Sequence, residues 1–266
     1  MAKNIRKKTF FILLCILVLL PNYVSAQYIR ENSFLDKQGV DRIAEIKRFQ
    51  AENNLEVTGV LNDATKDMLY NESKISYDIV DKPPTDGYWI VINKSRRFLT
   101  LYKSSEVAKK YPVAIGKQQD LTPSIKTKIV SKIVNPAWNG KTGRAASGAP
   151  GNPLGKRWLG LIVGNSYAYG IHGNANTSSI GTNASLGCIR MFNYDIETYL
   201  FPTVPVGTPV WIGNDNELAK WGVRQIIDLQ NLSNNEESIE KPENENNVKD
   251  KDIENSNGLK KCLVDS

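Results

Sequence analysis

The spacing of apolar residues changes along this chain, and the change separates a helical segment from a strand-rich one. In the first part of the chain, large apolar residues recur every three positions, at Val40, Ile43, Ile46 and Phe49. This spacing predicts one apolar face of an α-helix. Asn62 is a suitable N-cap for a second helix over residues 63–70, in which Met68 and Leu69 should face inward. We therefore predict a small α-helical module over residues 33–73.

From residue 88 onward the pattern is that of short β-strands. Apolar and β-branched residues form short runs that are separated by turn-forming residues. The runs that we expect to be strands are residues 89–93, 97–102, 108–115, 128–134, 159–163, 168–172 and 209–212. Helical spacing returns clearly only near residues 193–200. Many short strands with one short helix predict a mainly β domain over residues 88–213.

Three further segments divide the chain. Residues 74–87 are polar and contain Pro83 and Pro84, which predicts a linker. Residues 233–266 carry too few apolar side chains to offset the entropy of ordering, so we predict a disordered polar tail. Residues 1–26 have a basic start, an apolar middle and a small-x-small end, which predicts a signal peptide. We expect a secreted, extracytoplasmic protein without stable membrane insertion after cleavage; an uncleaved anchor is the alternative.

Charge and cysteine content narrow the class of protein. The formal net charge is +6, and a basic body is attracted to an anionic polymer such as a cell wall, although solubility alone explains so small a surplus equally well. No basic, aromatic-rich motif points to nucleic acid. Exported proteins usually pair their cysteines. Here Cys15 leaves with the predicted signal and Cys262 lies in the predicted tail, so a free Cys188 kept for chemistry fits better than a disulfide between Cys188 and Cys262.

The only histidine of the chain, His172, lies sixteen residues before Cys188. A free thiol with a pKa of about 8.5 is mostly protonated at neutral pH, so acyl transfer by cysteine needs a base. An imidazole can take that proton and return it to a leaving amine. We expect the amides of Gly187 and Cys188 to face a developing oxyanion. Alone, either residue would be read as ordinary packing; together, in a segment of small polar residues, they predict a catalytic pair.

The residues around this pair resemble the signature of the L,D-transpeptidase catalytic domain of the YkuD type. The matching positions are His172, Gly173, Gly181 and the run Ser185-Leu-Gly-Cys-Ile-Arg190. Supporting matches lie at residues 122–123, 135–138 and 153–160.

The resemblance covers roughly residues 88–212 and implies a β-sandwich or barrel. Two positions depart from the family pattern. Leu186 stands where many members carry His or Lys, and Ile125 stands where glycine is usual. Neither departure removes a catalytic group, although the first bears on how the thiolate is tuned.

The resemblance implies a transferase of cell-wall biogenesis and cell shape that forms 3→3 peptidoglycan crosslinks. Cys188 would attack the third stem residue, a diamino acid, and expel the terminal D-alanine, and His172 would shuttle the proton while the carbonyl of Gly173 orients it. Arg190 would either hold a substrate carboxylate or brace the loop, and Ser185 would shape the loop. The expected partners are stem peptides, with glycan contact left open, and we expect a monomer. One histidine without clustered cysteines argues against zinc, so we expect no metal or cofactor.

The helical module also carries a resemblance. Phe49-Gln50, Val57-x-Gly59 and Ala64-Thr65 match the small peptidoglycan-binding module of cell-wall hydrolases over about forty residues. The alternative is a helical hairpin that only packs on the enzyme, because so small a module has little core of its own.

Other functions remain open at this level. With water as acceptor, the same groups make an L,D-carboxypeptidase. Papain-like wall peptidases normally place Cys far before His, and sortases place His much farther before Cys, so both fit less well. A non-catalytic wall-binding protein is the third alternative, and the intact pair of His172 and Cys188 argues against it.

Overall fold

The computed structural model describes residues 38–71, 73–118, 121–140 and 143–227. The predicted signal peptide, the predicted tail, Cys15 and Cys262 lie outside the described residues. The helices are α1 (Gly39–Glu52), α2 (Asp63–Tyr70), α3 (Asn193–Asp195), α4 (Phe201–Thr203) and α5 (Asp215–Lys220), with a 3₁₀ turn at Thr177–Ser179 and a π-helical turn at Ile196–Leu200. Within these ranges, no helix is both long and apolar enough to cross a membrane.

The strands outnumber the helices, as predicted for a mainly β protein. They are β1 (Tyr77–Val80), β2 (Tyr88–Asn93), β3 (Phe98–Lys103), β4 (Glu106–Gly116), β5 (Ile125–Val134), β6 (Trp138–Gly140), β7 (Gly143–Ala145), β8 (Arg157–Val163), β9 (Ser166–His172), β10 (Asn183–Ser185), β11 (Ile189–Met191), β12 (Pro209–Gly213) and β13 (Val223–Ile226). Each of the seven predicted runs is a strand. The short strands β1, β6, β7, β10, β11 and β13 were not predicted.

One nine-stranded sheet forms the body of the protein, in the order β10-β4-β11-β9-β8-β5-β12-β2-β3. β3 also pairs with β4, so the sheet curls back on itself into a barrel-like sandwich. Its interior is apolar and includes Ile90, Leu99, Ile129, Leu159 and Ile171, all fully buried. Such burial stabilises the fold at roughly 25 cal/mol for each Å² of apolar surface removed from water.

The helical module agrees with the prediction at α2 and differs at the start of α1. The Asn62 side chain caps α2 by accepting a hydrogen bond from the Thr65 amide at 3.0 Å. Of the predicted apolar face on α1, Phe49 is buried, whereas Val40 is 75% exposed and Ile43 is 44% exposed. Three residues turn an α-helix by about 300°, so a strict period of three drifts by about 60° at each step. Val40 therefore lies on the side of α1 opposite Phe49.

The segment predicted to be a linker contains a strand. β1 pairs antiparallel with β13, which follows α5 and lies beyond the predicted end of the β domain at residue 213. Sequence spacing missed this pair because β1 is only four residues long and its partner comes from the far end of the described chain.

A buried polar cluster joins the helical module to the β domain. Lys110 of β4 forms an ion pair with Asp78 of β1 at 2.7 Å, with side-chain exposures of 5% and 1%. Asn54, in the turn after α1, donates to Asp78 at 2.8 Å and accepts from Lys110. Burial lowers the pKa of Lys110, and the carboxylate of Asp78 opposes that shift.

We predict that Asp78→Ala lowers the free energy of unfolding by about 3–5 kcal/mol, because it leaves the Lys110 ammonium buried without its counter-ion. Asp81→Ala is the matched control, since Asp81 pairs with Arg224 at 2.8 Å where both side chains are more than 40% exposed. The control should cost no more than about 1 kcal/mol. Urea denaturation of both variants measures the difference, and equal losses would contradict this account of the cluster.

Candidate active site

Two adjacent strands, β9 and β11, bring His172 and Arg190 to one face of the sheet. β11 runs parallel to β9, with Arg190 opposite His172 and Ile189 opposite Ile171. Side chains alternate across a strand. Because Ile171 and Ile189 are buried in the core, His172 and Arg190 face the other side. Cys188 directly precedes β11, and its Sγ lies close to the carbonyl oxygen of Ala168 on β9, so the thiol lies beside the strand that carries His172.

Cys188 is a free thiol that is only partly exposed. Its Sγ lies 3.5 Å from the carbonyl oxygen of Ala168 on β9. Burial raises the pKa of the thiol, while a hydrogen bond from the backbone of Gly170 and the charge of Arg190 offset part of that rise. The resting sulfur is therefore protonated at neutral pH.

His172 is buried at the end of β9, with 3% of its surface exposed. Its Nδ1 lies 2.5 Å from the carbonyl oxygen of Gly173. A carbonyl only accepts hydrogen bonds, so we assign the proton to Nδ1, which leaves Nε2 as the acceptor. Burial, with a smaller contribution from Arg190, lowers the pKa of His172 to about 4, although the bond to Gly173 opposes this. The imidazole is therefore neutral near pH 7 and able to take a proton.

The turn before the thiol requires glycine at position 187. Gly187 has a φ of 126°, and a Cβ atom there would collide with the carbonyl oxygen of Leu121. The Gly187 amide donates to Ser185 Oγ at 3.0 Å, and the Ser185 hydroxyl donates to the Cys188 carbonyl at 2.6 Å. Thr122 Oγ1 donates to the carbonyl of Gly187 at 3.0 Å.

This hydrogen bonding bears on the expected roles of Ser185 and Gly187. Ser185 is buried and holds the turn, which agrees with a shaping role. The Gly187 amide, which we expected to face an oxyanion, is already engaged by Ser185. The role of an oxyanion donor therefore stays a prediction, and it passes to the amide of Cys188.

Asn193 is a site residue that sequence reasoning did not single out. Its Oδ1 accepts from the Asn174 amide at 2.9 Å, and its Nδ2 donates to the Asn174 carbonyl at 3.1 Å. A Cβ at Gly173 would collide with the same Oδ1, as would one at Gly155. Asn193 thus fixes the turn that follows His172. The sequence showed it only as the start of a helical pattern, which gives no sign of this long-range role.

Arg190 is the cation of the site. It is half-buried, and no hydrogen bond or ion pair engages its guanidinium among the residues that the structure describes. Burial lowers its pKa, and its charge favours an anionic group nearby. An unpaired, half-buried guanidinium suits a bidentate carboxylate ligand better than a loop brace. The described part of the chain holds no cluster of three or more metal-ligating side chains.

Comparisons with a family model and with known proteins find related sequences. The family model of the L,D-transpeptidase catalytic domain, YkuD, matches residues 87–212. YqjB of Bacillus subtilis (strain 168), whose name assigns it provisionally to the L,D-transpeptidases, is 40% identical over 135 residues, which are 50% of this chain and 74% of that protein. YkuD of the same organism, with the same provisional assignment, is 38% identical over 130 residues, 49% of this chain and 68% of that protein.

Among solved structures, the crystal structure of the L,D-transpeptidase from Xylanimonas cellulosilytica is 18% identical. The match covers 66% of this chain and 81% of that one, with a TM-score of 0.45.

We predict that alkylation of Cys188 by iodoacetamide accelerates only at alkaline pH, because burial holds the pKa of the thiol above its ordinary value. Arg190→Gln should shift the midpoint of the alkylation rate against pH further upward, since the charge of Arg190 lowers the pKa of the thiol in the original protein. Arg144→Gln, at an exposed arginine, is the matched control and should leave the midpoint unchanged. Mass spectrometry of the peptide that contains Cys188 gives the rate at each pH. A midpoint below neutrality would instead indicate a preformed thiolate–imidazolium pair.

Proposed function

This chain belongs to the L,D-transpeptidase family defined by the YkuD catalytic domain, and from that premise we propose that it crosslinks peptidoglycan stem peptides through a thioester on Cys188. The single observation that carries the proposal is the parallel register of β9 and β11. In it His172 lies opposite Arg190, and Cys188 directly precedes β11, which supports a catalytic pair of the free thiol and the buried imidazole.

In the first half-reaction, His172 Nε2 takes the thiol proton while Sγ attacks the carbonyl of the third residue of a donor stem. Burial keeps the thiol protonated and the imidazole neutral in the resting state, so the proton moves during the attack rather than before it. The new S–C bond forms first, and the C–N bond to the terminal D-alanine then breaks. His172 returns the proton to the departing amine.

In the second half-reaction, the side-chain amine of another stem attacks the thioester carbonyl. His172 accepts the amine proton and passes it to the departing sulfur, which restores the thiol. The product is a 3→3 crosslink. If water enters in place of the amine, the same steps release a tripeptide stem and the enzyme acts as an L,D-carboxypeptidase.

Two further groups act on the substrate in this proposal. The amide of Cys188 donates to the oxyanion of each tetrahedral intermediate, and loss of one such donor typically costs about 3 kcal/mol of transition-state stabilisation. Arg190 holds a carboxylate of the stem peptide and keeps the donor in register with the sulfur. No metal or cofactor takes part in these steps.

The proposal also covers where the enzyme acts and its oligomeric state. We place a secreted monomer at the cell wall, in keeping with the predicted signal peptide. The helical module contacts the segment between His172 and Cys188, since Lys47 Nζ lies 3.5 Å from the Ser178 carbonyl and Val57 packs against Gly181. These contacts support a module that is a fixed part of the enzyme, with glycan binding as an added role.

We expect Cys188→Ala protein to pellet with insoluble peptidoglycan if the module binds glycan, because the variant forms no acyl link. Soluble stem peptides as competitors separate the two modes of binding. Pelleting that survives the competitor supports glycan binding by the module, whereas complete release by the competitor contradicts it.

We predict that the protein, incubated with muropeptides that carry tetrapeptide stems, yields dimers linked through their third residues, and that Cys188→Ala yields none. Mass spectrometry of the products makes the measurement. Tripeptide monomers without dimers would show that water, and not a second stem, accepts the acyl group, so that the enzyme is a hydrolase. No product in either sample would contradict an enzymatic role and favour a wall-binding protein.

A further inference from the structure

Trp158 is an aromatic residue that lies directly against the ring of His172. The two residues are opposite each other in the antiparallel pairing of β8 with β9. Their ring centroids are 5.7 Å apart and their planes differ by 21°, which is a stacked arrangement. Trp158 is half-buried, so its indole forms part of the rim of the site rather than part of the core.

Gly170 makes room for this indole. A Cβ atom there would lie 2.6 Å from two carbons of the Trp158 ring. Gly170 does not have a φ in the left-handed region, so the backbone alone would accept another residue. Glycine is needed at this strand position because the indole lies across it. A Cβ atom at Gly160 would lie 2.9 Å from the indole Nε1, but it would meet Ser131 Oγ first, at 2.2 Å.

The hydrogen bond from Nδ1 to the Gly173 carbonyl does not by itself fix the tilt of the His172 ring. A single bond at one ring atom fixes the direction of that atom and allows the ring to tilt about it. A flat surface against the ring removes the tilt, as aromatic stacking does when the planes are nearly parallel. The indole of Trp158 supplies that surface.

We propose that Trp158 is a positioning residue, which holds the imidazole of His172 in the plane that presents Nε2 to the thiol of Cys188. It acts through His172 and does not touch the reacting atoms. This inference rests on the proposed function for its catalytic meaning, but the ring geometry that it explains is independent of any substrate.

Stacking also affects the charge of the imidazole, in two opposite directions. A cation on the face of an indole is attracted to it, which favours the protonated ring, whereas burial under the indole disfavours that charge. The charged or titratable groups on this side of His172 are Arg190 of β11 and Cys188, which directly precedes β11, and Arg190 also disfavours a second cation. Because the pKa of His172 is lowered to about 4, burial outweighs the attraction.

The test uses the fact that the chain has one histidine. In untagged protein, NMR of that side chain gives one titration curve and one pair of ring nitrogens, whose shifts report the tautomer. We expect the original protein to carry the neutral-state proton on Nδ1 and to titrate near pH 4. Trp158→Ala should raise the midpoint by at least one pH unit toward about 6.5, the value of an unperturbed histidine, and should mix the two tautomers.

Matched variants separate positioning from general damage. Trp158→Phe keeps a flat ring and should stay close to the original midpoint and tautomer. Trp221→Ala, at a tryptophan that packs against Trp211 in a separate cluster, should leave both unchanged. Gly170→Ala keeps the indole but displaces it, so the midpoint and the tautomer mixture of His172 in this variant should resemble those in Trp158→Ala.

Kinetics complete the test. Trp158→Ala should lower kcat by about tenfold or more with little change in KM, and should move the acid limb of the pH–rate profile together with the NMR midpoint. An unchanged midpoint and tautomer in folded Trp158→Ala would overturn the positioning role, even if crosslinks still form. A shifted midpoint in a protein that makes no crosslinks would support the positioning role and contradict the proposed function instead.

Discussion

The parallel pairing of β9 with β11 is the constraint on which the rest of the site depends. It sets His172 opposite Arg190, two residues after Cys188, although the two strands are well separated along the chain. Side-chain alternation makes the same pairing serve the core, because Ile171 and Ile189 are buried on the opposite face. A register shift by one residue would turn His172 and Arg190 into the core and expose the isoleucines. Packing of the core therefore fixes the alignment of these two side chains.

Burial at that face determines how the groups can react. It raises the pKa of the Cys188 thiol and lowers that of the His172 imidazole, so the neutral pair is the resting state. Arg190 partly counteracts the first shift and adds to the second, because a cation favours a thiolate and disfavours an imidazolium. In the proposed mechanism, such a thiol becomes nucleophilic when a substrate lies beside it. Such a sulfur would also be slow to react with oxidants and stray electrophiles.

The helical module and the β domain are joined through contacts that lie far from the thiol in sequence. Lys110, Asp78 and Asn54 form a buried cluster among β4, β1 and the turn after α1. Arg97 donates to the Gly181 carbonyl at 2.8 Å and also bonds Glu56 of the module. The segment between the imidazole and the thiol is thus supported from the module side. The module also has a small apolar core that includes Phe49 and Met68, so its stability comes from that core together with the joint surface.

The sequence by itself determined the class of fold, the main strands and α2 with its Asn62 cap, and it predicted that His172 and Cys188 form a catalytic pair. These features are local, because strand alternation, a capping residue and a short motif each depend on residues that are close together in the sequence. The sequence did not predict β1 and β13, the engagement of the Gly187 amide, the role of Asn193, or the stacking of Trp158 on His172. Each of these depends on contacts between residues that are distant in the chain or on a competition for one hydrogen-bond donor. Only the tertiary structure decided them, because pairing partners and burial exist only once the strands have been brought together.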